Sequence, residues 1–174
     1  IPLFLSLLRE DNLTLKQRTT VVLANLSGSA AGHNAIISCA GAIPLLLSLL
    51  REDACYLNPA STILFDNLSR ADDRHNAIIS CEGTIPLILS MLREDNPTLK
   101  QHTTTVLAKL ALTEAGREAI ISCESAIPLF LSLLREDNLT LKQNTTEALA
   151  HLSTPAAGRE AIISCESAIP LFLS

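Results

Sequence analysis

Aromatic residues are nearly absent: the chain has no tryptophan, one tyrosine and four phenylalanines. So few rings argue against the stacking platforms on which single-stranded nucleic acid is held. A basic field is missing as well. Thirteen Lys and Arg face 18 Asp and Glu, a net charge of −5, so nucleic acid is not an expected partner. No apolar run approaches the ~20 residues that span a bilayer, and a membrane partner is not expected either. The chain does not begin with Met and no signal-like region opens it, so it reads as an excised segment of an intracellular protein, cytoplasmic or nuclear. No C-x-x-C pair, HExxH, glycine-rich phosphate loop, carboxylate pair or Ser-His-Asp arrangement can be read, and the four histidines are scattered. These absences exclude most enzyme classes; no catalytic residue, metal or cofactor is assigned.

What is present is a period. Ile1-Pro2-Leu3 returns as Ile43-Pro44-Leu45, Ile85-Pro86-Leu87, Ile127-Pro128-Leu129 and Ile169-Pro170-Leu171, a spacing of 42 residues. Such a period marks a solenoid, in which each unit buries its apolar face only against its neighbours. Units 1–42, 43–84, 85–126 and 127–168 are followed by a partial 169–174, one solenoid with an incomplete repeat at each end. Cys39, Cys81, Cys123 and Cys165 hold one position in each unit. Equivalent atoms of stacked helices lie roughly 8–10 Å apart, beyond the ~4.4–6.8 Å between disulfide-linked Cα atoms. A ladder of small, buried, unbridged thiols is expected. Cys55, in the one irregular stretch, reads as exposed.

Each unit parses into three helical pieces. The first is short, His33 to Cys39, and stops before Gly41; Gly83 repeats that stop, whereas Ser125 and Ser167 must close theirs differently. The second opens at Ala42-Ile43-Pro44 with proline where a missing N–H is tolerated, and ends at the charged corner Arg51-Glu52-Asp53. The third is longest. Asn12, Asn96 and Asn138 are its N-caps, followed by apolar residues at helical spacing. In the second unit that cap is lost, so the helix is expected to start late, with Asn58 capping, Pro59 leading and 54–57 as loop.

Gly41-Ala42-Ile43-Pro44-Leu45-Leu46 and Leu23-Ala24-Asn25-Leu26-Ser27 resemble the two most recognisable stretches of the armadillo family, and the resemblance covers essentially the whole chain. HEAT repeats share the period but have two helices and no short glycine-ended lead-in. The resemblance implies an all-α fold, a right-handed armadillo-type superhelical solenoid of three-helix repeats. It also implies a concave groove lined by the third helices, where an extended peptide is held through an Asn column, here Asn25 and Asn67.

The four copies agree at 17 of 42 positions, and copies one and four at 32, which points to recent duplication or deliberate design. Their disagreements cluster. Arg18, Ala60, His102 and Asn144 all differ, as do Val21, Ile63, Thr105 and Glu147; Asn25, Asn67, Lys109 and His151 hold three residue types, and Gly28, Arg70, Leu112 and Thr154 hold four. At roughly 100° per residue these four columns share an arc about 80° wide on the third helix. Stacking is indifferent to that arc; a ligand need not be. The first three columns together with Arg70 form the candidate peptide-binding set. The importin-α subfamily sets a Trp one turn before its Asn, where this chain has Val21, Ile63, Thr105 and Glu147, so a basic localisation signal is not the expected ligand. Arg18, Arg70, His102, Lys109 and His151 instead favour a peptide of some acidic character. The functional reading is a non-enzymatic scaffold for an extended peptide, with head-to-tail self-association through uncapped terminal repeats as the alternative.

Overall fold

The computed structural model describes residues 1–52, 58–69, 78–79, 81 and 83–165. The expected loop 54–57, Cys55, Arg70, Ser167 and the partial repeat lie outside these residues. The helices are α1 (Pro2–Leu7), α2 (Leu13–Ser27), α3 (Ala30–Ile37), α4 (Ala42–Glu52), α5 (Asn58–Ser69), α6 (Thr84–Met91), α7 (Pro97–Leu110), α8 (Glu114–Ile121), α9 (Ala126–Leu133), α10 (Leu139–Leu152) and α11 (Ala156–Ser164). The chain divides into two compact units, Ile1–Thr84 and Ile85–Ser174, at the sequence boundary between the second and third copies.

Each third helix starts as its first residues dictate. The side chains of Asn12, Asn96 and Asn138 accept from the amides of Leu15, Leu99 and Leu141 at 2.9–3.0 Å, satisfying donors that have no partner within the helix. The second copy differs from expectation. α5 begins at Asn58 itself, so Asn58 is its first residue rather than a cap preceding it. Its start is nevertheless three positions later than Leu13 in the first copy.

The short helices also depart from the expected bounds. α3 starts at Ala30, not His33, because Ser29 caps it, accepting from the Gly32 amide at 3.1 Å; Thr113 does the same for Gly116. The glycine of that first turn is sterically required. A Cβ at Gly32, Gly116 or Gly158 would overlap the carbonyl oxygen of Leu26, Leu110 or Leu152, the closing residues of the preceding third helix. α3 and the first turns of α4 meet at 96°. Gly41 makes that bend with φ +75°, and Gly83, at the same position of the next copy, has φ +79°. Ser125 makes it with φ −79° and ψ −10°. The turn hydrogen bond is kept in both forms, Ala42 N to Cys39 O at 3.0 Å and Ala126 N to Cys123 O at 2.8 Å. Those dihedrals match a type II turn for glycine and a type I turn for serine.

Positions shared by the copies build the core. Leu5, Leu47, Leu89 and Leu131 are buried, as are Ile36, Ile78 and Ile120, and Leu68, Leu110 and Leu152. Each fully buried side chain of this kind contributes about 1.5–3 kcal/mol. Three threonines within that core satisfy themselves: Thr20, Thr104 and Thr145 donate to the carbonyls of Lys16, Lys100 and Leu141, four residues earlier. The thiols correct one expectation. Cys39, Cys81, Cys123 and Cys165 are unbridged but only half-buried, and Cys39 and Cys123 donate to the Ala35 and Ala119 carbonyls.

Candidate functional site

Within the first unit α2 packs along α5, and within the second α7 packs along α10. The side of α2 that meets α5 includes Ala24 and Ser27, which the Asn67 side chain reaches. One arc away from that seam, Arg18, Val21, Asn25 and Gly28 are exposed. On α5, Ile63 is 51% exposed, close to the 47% of Val21 at the same position of the preceding copy. Ala60 and Asn67 are half-buried. In the second unit His102, Thr105, Lys109, Asn144 and His151 are half-buried, and Glu147 is exposed. Leu112 and Thr154 lie exposed just beyond their helices.

The two asparagines of the implied peptide clamp therefore differ. Asn25 presents its carboxamide at the surface. Asn67 turns its amide inward, donating to the Ala24 carbonyl at 3.3 Å and to Ser27 Oγ at 3.1 Å, so it ties α5 to the closing turn of α2. In the second unit Asn144 donates to Thr105 Oγ1 at 2.9 Å, and Thr105 donates to the Gln101 carbonyl. Burial pushes the Lys109 ammonium below its ordinary value, while the Glu147 carboxylate pulls it back up. Burial also lowers His102 from its ordinary 6.5. The second unit thus satisfies much of its own arc, whereas in the first Arg18, Val21, Asn25 and Ile63 stay exposed and Asn67 is tied inward.

Sequence reasoning missed a second set of bonds at the other end of these helices. Lys100 pairs with Glu136, and Gln101 Nε2 donates to Asn138 Oδ1 at 3.1 Å. The signal was present: Lys-Gln recurs as Lys16-Gln17, Lys100-Gln101 and Lys142-Gln143, and fails in the second copy, where Asn58-Pro59 stands.

On the cysteine side, a notch of about 250 Å³ is lined by Ile37, Ile43, Pro44, Cys39 and Cys81. A smaller one of about 190 Å³ lies beside Pro86, Leu89, Arg93 and Cys123. Among the described residues no group of three or more His, Cys, Asp or Glu is placed to hold a metal, and no single helix is long and apolar enough to cross a membrane.

No family model matches the chain, and no curated protein does. Solved structures do. A designed armadillo repeat protein in complex with a (KR)4 peptide superposes with a TM-score of 0.81 at 14% identity, over 95% of this chain and 70% of that one. The chain has an armadillo-like repeat fold. A computationally designed armadillo repeat protein for modular peptide recognition gives 0.78 at 16% identity, again over 95% and 70%. An engineered protein gives 0.79 at 20% identity, over 94% and 67%. The armadillo-like array here spans about two thirds of the length of these structures, and the likeness concerns the fold.

Proposed function

We propose that the chain is a non-enzymatic protein-interaction scaffold whose third-helix face holds an extended segment of another polypeptide. One observation carries this reading. Arg18, Val21 and Asn25 share an exposed arc on columns that differ between copies, whereas Thr20 and Leu23, turned into the core, stand on columns that hardly change. A carboxamide both donates and accepts, so Asn25 can hold a peptide unit by its backbone without reading side chains. Two designed proteins of the same fold are described as binding or recognising peptides, which supports the class of ligand.

The test is the affinity of the best binder from a random peptide library for Asn25→Ala, Lys109→Glu and Asn67→Ala forms. Asn25→Ala and Lys109→Glu should each weaken binding about fivefold or more. Asn67→Ala should act mainly on melting temperature. Unchanged affinity in all three would reject the face as the binding surface. A scattering mass that climbs with concentration would favour self-association instead.

A further inference from the structure

The geometry of the first unit points to a ligand with aliphatic side chains at alternate positions and a carboxylate beside them, read by Val21, Ile63 and Arg18. This rests on the recognition surface proposed above and gives its first unit a chemistry. Val21 and Ile63 are half-exposed at the same position of two helices that pack together, so their apolar surfaces belong to one face. Both are β-branched, and in a helix such side chains hold one χ1 rotamer. Covering them therefore removes apolar surface from water with little loss of side-chain freedom. A polar ligand side chain placed there would lose its hydration and find no partner on either residue.

The spacing fits an extended chain. Packed helices lie roughly 8–10 Å apart, and two residues of extended chain cover about 7 Å. Side chains at i and i+2 of one strand point the same way, so each can rest on one helix. Arg18 lies one turn before Val21 on α2, exposed, within reach of a carboxylate flanking the first aliphatic residue. A basic segment would meet that guanidinium as a like charge.

The second unit has no such surface. The same column supplies Thr105 and Glu147; Thr105 is occupied by Asn144, and Lys109 faces Glu147. The aliphatic reading is therefore confined to the first unit.

Fluorescence anisotropy tests this with a labelled peptide of alternating serine and valine carrying one glutamate beside the first valine. Its comparators replace the valines by serine, or the glutamate by lysine. The wild-type protein should prefer the valine form, and the double variant Val21→Ser, Ile63→Ser should bind it about tenfold more weakly. Both side chains are only about half covered, so the melting curve should shift modestly and remain a single cooperative transition. Arg18→Glu should invert the preference between glutamate and lysine. Equal binding of valine and serine peptides, or a double variant that binds the valine peptide as well as wild type, overturns the inference. If Asn25→Ala weakens all peptides alike and no valine preference exists, the recognition surface stands and this ligand is rejected. If no peptide binds, both are rejected. A mass that rises with concentration in wild type and not in the double variant would show a second copy covering these residues, and would also overturn it.

Discussion

Gly41 and Ser125 occupy equivalent positions, yet one has φ +75° and the other φ −79°. A side chain at Gly41 enters the left-handed region, which disfavours L-residues by roughly 1–2 kcal/mol. Gly41→Ala should therefore lower unfolding free energy in urea by about 1 kcal/mol, while Ser125→Ala, exposed and already right-handed, should change it by less than about 0.5 kcal/mol. Equal losses would show that both turns share one conformation. This difference was legible, since only glycine and serine alternate there. The difference between Asn25 and Asn67 was not: residue and column are identical, and only the Ala24 carbonyl and Ser27 hydroxyl presented by the neighbouring helix turn one of them inward. His102 adds a pH dependence. Its folded pKa lies below its unfolded value near 6.5 because burial disfavours the imidazolium. The unfolded chain thus takes up a proton first as pH falls. Stability present above pH ~6.5 should decline as pH drops through the folded value, and His102→Gln should flatten that part of the melting-temperature profile.

Third-helix starts were readable because asparagine caps recur at a fixed place before an apolar period. Asn138 does more than cap: its Oδ1 accepts from both the Leu141 amide and Gln101 Nε2 of α7. Asn138→Ala should cost about 1 kcal/mol for the cap and a similar amount for the lost inter-helix bond. Asn12→Ala, whose residue is exposed, should cost about 1 kcal/mol alone. Equal losses in denaturant titrations would remove the inter-helix role. The short helices were less legible. Their cap column holds Ser29, Ala71, Thr113 and Pro155, four residue types, which hides a capping position behind apparent drift. The glycine three residues on is dictated by a carbonyl far enough back in the chain that local spacing does not reveal it. Gly116→Ala, pressed against Leu110 O, should destabilise by about 1–3 kcal/mol.

Across the whole molecule, the 42-residue period was sufficient to identify the repeat fold, because invariant columns such as Leu5, Leu47, Leu89 and Leu131, or Ile36, Ile78 and Ile120, are the buried ones. It did not reveal that the divergent columns serve two ends. Some remain open to solvent, as at Arg18, Val21 and Asn25, and others join adjacent helices, as at Asn67, Asn144 and Thr105. Neighbour-specific bonds and ligand-facing positions look alike in a comparison of copies, since both release a column from sameness. Methyl-resolved NMR separates them most directly. Titrating a library-selected peptide into methyl-labelled protein should shift the Val21, Ile63 and Thr105 methyl signals and leave Ile37 and Ile43, at the cysteine-side notch, in place. Shifts confined to Ile37 and Ile43, with Val21 and Ile63 unmoved at saturation, would contradict recognition on the third-helix face.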